Sequence, residues 1–201
     1  MYDDEFELTF DLSDEDKASR APAPEQEPVQ EAAPEPAAET EPPVEAVPEP
    51  AVPAANGRCV LISGGDRGIG AAAARAFWQA GYRVAVLYHT HAEEAAALEK
   101  ALPGLLAVQC DVASRASCEV AFHTVEQAVG HVDVLVSNAG IAQQKLFTDI
   151  TPEEWQHMLD VNLSGAFHLC QLALPGMIRR KAGRILTVSS MWGQTGGSCE
   201  V

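Results

Sequence analysis

From residue 58 onward, the chain alternates between short apolar runs and longer segments with helical patterning. The runs are apolar at nearly every position, which is typical of strands that are buried on both faces of a sheet. Strands of this kind, separated by helices, form a parallel sheet with right-handed crossover connections. The sequence therefore predicts a doubly wound α/β fold. The predicted strands lie at residues 59–62, 84–88, 105–108, 132–136 and 184–189.

The segments between the strands carry helix start and stop signals. Thr151, Pro152 and Glu154 fit a capping box in which proline occupies the first helical position, where its missing N–H costs nothing. Ser114 is a suitable N-cap for a helix that runs to Gly130. The predicted helices are 68–80, closed by Gly81, then 93–101, then 114–130, and a long helix from 152 to about 180, with Gly183 beyond it.

Residues 1–55 differ in composition from the rest of the chain. They contain 16 of the 29 acidic residues, 2 of the 13 basic residues and 10 of the 13 prolines, but none of the 15 glycines. Their formal charge is therefore −14, whereas residues 56–201 carry only −2. Residues 18–55 are almost entirely Ala, Pro, Glu, Val and Gln, which cannot bury enough apolar surface to offset the entropy lost on ordering. We predict a disordered acidic tail at 1–55 and one folded domain at 56–201.

The first twelve residues of this tail carry a second pattern. Tyr2, Phe6 and Phe10 alternate with acidic residues. This segment fits either a short element that docks onto an unidentified partner or a solvated terminus, and the sequence leaves both open.

The charge and hydropathy patterns disfavour several classes of protein. The folded segment has no basic excess, which argues against nucleic acid as a partner. No run of 18 apolar residues is present, so no membrane span is expected. The chain begins with acidic residues where a secretory signal would be basic and then apolar, so we expect a cytoplasmic protein.

The cysteines and histidines do not form a pattern that predicts a metal site. The five cysteines are odd in number and widely spaced, with no CxxC pair, so we expect buried thiols rather than disulfides or structural zinc. His89 and His91 form an HxH pair, but no carboxylate or cysteine shares their register. We therefore predict no metal, and a loop or strand-end role for these two residues.

The turn between the first predicted strand and the first predicted helix is rich in glycine. Residues 63–70 read SGGDRGIG. Glycines at 64, 68 and 70 allow a tight turn and a close approach of the backbone to a pyrophosphate, while the N–H groups of the helix start face the anion. A glycine trio that directly follows a buried strand and opens a helix predicts a dinucleotide site of the Rossmann type rather than a turn without a ligand.

The residues after the second strand indicate which dinucleotide is preferred. Sites for the cofactor without a 2′-phosphate usually place an acidic residue there, about 20 residues after the glycine turn. Here residues 88–91 read YHTH, and the first acid, Glu93, already belongs to a helix. Arg67 in the glycine turn offers a guanidinium that can pair with a phosphate. We therefore predict NADP(H) rather than NAD(H).

Five motifs in order then resemble the short-chain dehydrogenase/reductase superfamily, and most closely its bacterial 3-oxoacyl-acyl-carrier-protein reductase-like members. The family loop Thr-Gly-x-x-x-Gly-x-Gly appears with Ser63 in place of Thr, and Asn-Asn-Ala-Gly appears as residues 137–140, SNAG. Asp111 matches the adenine-contacting Asp, Asn162 the active-site Asn, and Ser190 the catalytic Ser. Together, the loop and the resemblance assign cofactor binding to Ser63, Gly64, Asp66, Arg67, Gly68, Ile69, Gly70, Asp111, Val112, Asn138, Ala139 and Gly140.

The resemblance implies an enzyme that passes a hydride from NADPH to the carbonyl of a small or acyl-carrier-bound substrate, usually as a homo-oligomer. Ser190 would polarise that carbonyl and Asn162 would support a proton relay. Three alternatives stay open. Asn162 can instead bond backbone at a helix break, Ser189 offers the same hydroxyl as Ser190, and Asn138 can brace neighbouring strands.

The resemblance also implies that part of the catalytic apparatus is missing. The family pattern Ser-x₁₂-Tyr-x₃-Lys, counted from Ser190, places the tyrosine two residues past Val201. We therefore expect the fold to be incomplete on its C-terminal side and the chain as given to be inactive. The alternative function is a non-catalytic nucleotide-binding or scaffold protein whose acidic tail docks a partner.

Overall fold

The computed structural model describes residues 54–191, and within them five parallel strands form one sheet. The strand order is β3-β2-β1-β4-β5. This order confirms the predicted doubly wound α/β fold, and each strand lies within two residues of its predicted bounds. The predicted tail at 1–55 lies almost wholly outside the described residues. The strands are β1 Cys59–Ser63, β2 Arg83–Tyr88, β3 Leu106–Gln109, β4 Val134–Ser137 and β5 Arg184–Thr187.

Helices connect consecutive strands and lie on both faces of this sheet. Strand β1 shows why both faces are covered. Its side chains alternate between two apolar clusters, with Cys59 and Leu61 in one and Val60 and Ile62 in the other, and all four are fully buried. The helices are α1 Gly68–Gln79, α2 Ala92–Ala101, α3 Arg115–Val129, α4 Pro152–Leu159 and α5 Gly165–Arg180.

The long helix predicted from residue 152 to about 180 is interrupted. Its start is as expected, because Thr151 Oγ1 accepts a hydrogen bond from Glu154 N (3.2 Å) and Glu154 Oε2 accepts one from Thr151 N (2.9 Å). A π-helical segment, Asp160–Ser164, then separates α4 from α5. The helix ends at Arg180, as predicted, and Lys181 follows it in a left-handed conformation with φ 52°. Continuous helical patterning does not reveal such an insertion.

The described cysteines include three that are buried, as predicted. Cys59, Cys110 and Cys118 lie in the apolar cluster between the sheet, α3 and α5. Burial raises the pKa of the Cys59 thiol to about 12. A hydrogen bond with Cys110 and burial also raise the pKa of Cys118. These two thiols are therefore protonated and unreactive at neutral pH.

The ends of β1 and β4 are joined by side chains rather than by further strand pairing. The fully buried Ser63 Oγ accepts hydrogen bonds from the N–H groups of Asn138 and Ala139, both at 3.0 Å. Asn138 Nδ2 donates to the carbonyl oxygens of Ser63 (3.1 Å) and Gly64 (2.9 Å). Because the chain reverses its strand order between β1 and β4, these bonds lie where doubly wound sheets open a binding crevice.

Ser63 provides a test of this junction. We expect Ser63→Ala to lower the free energy of unfolding by about 2 kcal/mol, because it removes the acceptor of two partly buried N–H groups. Ser63→Thr keeps the acceptor oxygen and is expected to lose clearly less. Urea denaturation followed by circular dichroism measures both changes. Equal losses for the two variants would show that the hydroxyl oxygen does not hold the junction.

Candidate nucleotide-binding site

A cavity of about 400 Å³ opens at the carboxyl ends of the strands. Its walls come from the loops after β1, β2, β3 and β4 and from the start of the π-helical segment. Loops from four strands and a helix thus meet at the position expected for a ligand in this fold. The cavity brings together ten of the fourteen predicted site residues: Gly64, Asp66, Arg67, Gly68, Ile69, Asp111, Val112, Asn138, Ala139 and Gly140.

The glycine turn requires its glycines for two different reasons. Gly64 and Gly68 have φ values of +60° and +53°, a region that side chains other than glycine rarely adopt. Gly70 is helical, but a Cβ there would lie 2.0 Å from the carbonyl oxygen of Gly64. The first turn of α1 therefore packs directly against the loop. Ser63 and Gly70, both predicted site residues, are not among those that line the cavity; they hold the turn in shape.

The start of α1 presents backbone donors to this cavity. Arg67 is the N-cap in an extended conformation, and its side chain makes no capping hydrogen bond. The first bond of the helix runs from Ala71 N to Arg67 O at 3.1 Å. The N–H groups of residues 68–70 precede that bond, so they have no partner within the helix and carry the positive end of its dipole. A Cβ on Gly68 would meet nothing within 4 Å, so the backbone here is approachable.

These features fit a diphosphate. The donors are main-chain amides at a helix start, with Arg67 as the N-cap residue beside them. Donors of this kind can bind an anion directly, with no metal ion between the protein and the anion. Among residues 54–191, no group of three or more His, Cys, Asp or Glu side chains is arranged to hold a metal ion. Within the same range, no helix is long and apolar enough to cross a membrane.

The loop after β3 is fixed from several sides. Ser117 Oγ accepts a hydrogen bond from Asp111 N (3.0 Å), and Asp111 Oδ1 accepts one from Ala113 N (3.0 Å). The carbonyl oxygen of Val112 lies 3.1 Å from His168 Nδ1 on α5. Asp111 and Val112 are thereby held at the cavity wall before any ligand binds.

Asn162 occupies the π-helical segment and is bonded to the loop after β4. Its Oδ1 accepts a hydrogen bond from Ile141 N (2.8 Å), and its Nδ2 donates to Ile141 O (3.0 Å). Of the alternatives for this residue, a backbone bond is therefore present, but it reaches across to another loop rather than along the helix. Val161 and Ile141 line the cavity, whereas Asn162 braces it from behind.

Ser190 lies at the same edge of the sheet without being among the residues that line the cavity. Strand β5 pairs with β4, and Val188 N donates to Ser137 O at 2.9 Å, which places residue 190 just beyond the carboxyl end of β5. The predicted catalytic serine and the predicted cofactor loop thus share one edge.

Several residues that line the cavity were not predicted. Five of these nine residues belong to the end of β2 or come directly after it, and because β2 lies next to β1 in the sheet, its end borders the glycine turn. The sequence prediction for this segment rested on the lack of an acidic residue after β2 and assigned no role in the site to the residues that are present there. The additional lining residues are Leu87, Tyr88, His89, Thr90, His91, Cys110, Ile141, His157 and Val161.

Comparisons with known proteins agree with this geometry. The short chain dehydrogenase family matches residues 58–201. An acetoacetyl-CoA reductase from Shinella zoogloeoides is 40% identical over 139 residues, which are 69% of this chain and 57% of that protein. The 3-oxoacyl-[acyl-carrier-protein] reductase MabA of Mycobacterium avium is 40% identical over 144 residues, 70% of this chain and 53% of MabA.

The fold has a counterpart among solved structures. The crystal structure of gox2181 superposes with a TM-score of 0.64 and 32% identity, over 68% of this chain and 55% of that one. The chain spans about half the length of the curated relatives it matches. Since the family match covers most of the sequence and includes the glycine turn, the SNAG motif, Asn162 and Ser190, the chain belongs to the short chain dehydrogenase family.

Proposed function

We propose that the chain forms the nucleotide-binding part of an NADP(H)-dependent oxidoreductase that reduces a 3-oxoacyl-type carbonyl to an alcohol. The observation that carries this proposal is the cavity in which the uncapped start of α1 and Arg67 meet the loops after β2, β3 and β4. A helix start without a side-chain cap at the switch point of a doubly wound sheet is suited to a dinucleotide.

Each wall of the cavity has a proposed part in holding the cofactor. The N–H groups of residues 68–70 and the Arg67 guanidinium bind its phosphates, Asp111 and Val112 contact its adenine, and residues 138–140 support its nicotinamide half. When bound, the nicotinamide supplies the hydride. Preference for NADP(H) is supported by Arg67 and by the absence of an acidic residue in the segment 88–91.

The substrate class is proposed from the relatives. The names acetoacetyl-CoA reductase and 3-oxoacyl-[acyl-carrier-protein] reductase both describe a 3-oxoacyl thioester. Negative charge develops on the ketone oxygen as it is reduced, so a hydroxyl donor is needed there, and Ser190 is the proposed donor. Asn162 is proposed to support the proton relay while its side chain holds Ile141 in place.

The remaining proposals concern the chain as a whole. We propose that residues 1–55 form an acidic tail ahead of a nucleotide-binding domain at 56–201, in a cytoplasmic protein. A homo-oligomer is supported by apolar side chains exposed on the π-helical segment and α5, where Leu163, Phe167 and Ile178 are 65%, 58% and 68% exposed.

Nucleotide titration tests the cofactor proposal. Following the fluorescence of the reduced nucleotide, we expect the 201-residue chain to bind NADPH at least about tenfold more tightly than NADH, because the 2′-phosphate gains charged contacts that are each worth roughly 1.5–3 kcal/mol. Arg67→Ala should remove most of that preference. Arg75→Ala, an exposed arginine on the same helix outside the cavity, is the matched control. Tenfold tighter binding of NADH would refute the proposal.

A turnover assay tests the catalytic part separately. The 201-residue chain has Ser190 but no tyrosine after Tyr88, so it lacks the proton donor that the family pattern requires. We expect NADPH oxidation with acetoacetyl-CoA to be about 10²- to 10⁴-fold slower than for the Shinella zoogloeoides reductase assayed alongside. A comparable rate would show that another group in this chain donates the proton, whereas absent nucleotide binding would defeat the cofactor proposal itself.

A further inference from the structure

An acidic residue lies inside the cavity, although none follows β2. Asp66, in the turn between β1 and α1, lines the cavity, and its side chain is only 6% exposed. His91, after β2, lines the same cavity with its side chain 35% exposed. His91 Nδ1 lies 3.6 Å from Asp66 Oδ2, so the two side chains form a contact between the loop after β1 and the loop after β2.

Few groups near Asp66 can offset the negative charge of its carboxylate. Among the described side chains, His91 is the one basic group within 4.0 Å of its carboxylate. Thr90 Oγ1 lies 3.3 Å from the same Nδ1, which limits the orientations of the imidazole. A carboxylate this poorly solvated interacts strongly with any charge that enters the cavity.

We propose that His91 supports cofactor selectivity by screening Asp66, and that the Asp66–His91 pair acts together with Arg67 in deciding between a 2′-phosphate and a 2′-hydroxyl. The proposal rests on the nicotinamide nucleotide function proposed above. When the His91 imidazole is protonated, its positive charge offsets that of the carboxylate, so Asp66 does not repel a 2′-phosphate, and Arg67, the next residue in the chain, attracts one. Without His91, Asp66 is an acceptor for a ribose hydroxyl and repels a phosphate.

The pair acts on selectivity rather than on affinity in general. NADH and NADPH differ only at the 2′ position, so contacts with the diphosphate, adenine or nicotinamide change both affinities together. A group that changes the charge around the ribose changes one affinity and spares the other. His91 is therefore a positioning residue for selectivity, and its partner, Asp66, is the group through which it acts.

A double-mutant cycle tests this coupling. The full 201-residue chain and the variants His91→Ala, Asp66→Asn and the double variant are titrated with NADPH and with NADH. We expect His91→Ala to weaken NADPH binding at least about tenfold while NADH binding weakens less than threefold or becomes tighter. In the Asp66→Asn background, the same histidine substitution should change NADPH binding less than threefold. Thermal melts of every variant verify folding.

His131→Ala is the matched control. His131 Nε2 lies 3.7 Å from Asp133 Oδ1, a contact of similar length, but in the segment that precedes β4 and outside the cavity. This variant should leave the ratio of the two affinities unchanged.

The outcomes separate this inference from the proposed function. If the wild-type chain prefers NADPH but His91→Ala weakens both nucleotides equally, selectivity does not come from His91 and the inference is overturned while the proposed function stands. If His91→Ala is as costly in the Asp66→Asn background as in the wild type, the histidine acts without Asp66, which also overturns it. If the wild type shows no saturable response to either nucleotide, the proposed function fails and this inference fails with it.

Discussion

The close approach of Gly70 to Gly64 is the constraint on which the site depends. A single methyl group at residue 70 would lie 2.0 Å from the Gly64 carbonyl oxygen, a separation at which the backbone must move. Because residue 70 has no side chain, α1 begins directly against the end of β1, and its first residues, Gly68 and Ile69, line the cavity without a side-chain cap over the helix start. The anion binding that we propose for this loop thus depends on backbone packing.

Two asparagines extend this junction across segments that are distant in sequence. Asn138 bonds the loop after β4 to the end of β1, and Asn162 bonds the π-helical segment to the same loop at Ile141. A side-chain amide both donates and accepts, so it can satisfy backbone groups that no strand or helix reaches. Three segments, namely the end of β1, the loop after β4 and the π-helical segment, are therefore fixed relative to one another by polar contacts at the edge of the sheet. Such networks favour one arrangement of the cavity walls, because each broken hydrogen bond leaves a backbone N–H or C=O group without a partner.

The sequence predicted the fold well because its signals are local. Strand runs, the Thr151 capping box and the glycine turn each depend on residues close together in the chain, and all were found where expected. Helical patterning predicted one continuous helix here, and only the resemblance pointed to a break at Asn162, because one extra residue in a helix leaves no compositional trace. The bonding of Asn162 to Ile141 in another loop and the contact of His91 with Asp66 were not predicted. Both depend on which loops the sheet brings together, and periodicity does not contain that information.

The position of Asp66 shows why counting residues along one strand is an incomplete guide to cofactor preference. Strands β1 and β2 are parallel neighbours with Ser63 opposite Leu87, and Gly65 N donates to Leu87 O at 3.1 Å. The loops that follow these two strand ends therefore run side by side. Asp66, three positions past Ser63, is in contact with His91, four positions past Leu87. A carboxylate can enter the same region of the cavity from either loop. A ribose bound there would meet the summed charge of both loops, to which Asp66, Arg67 and His91 all contribute. An acidic residue after β2 is only one way of setting that sum.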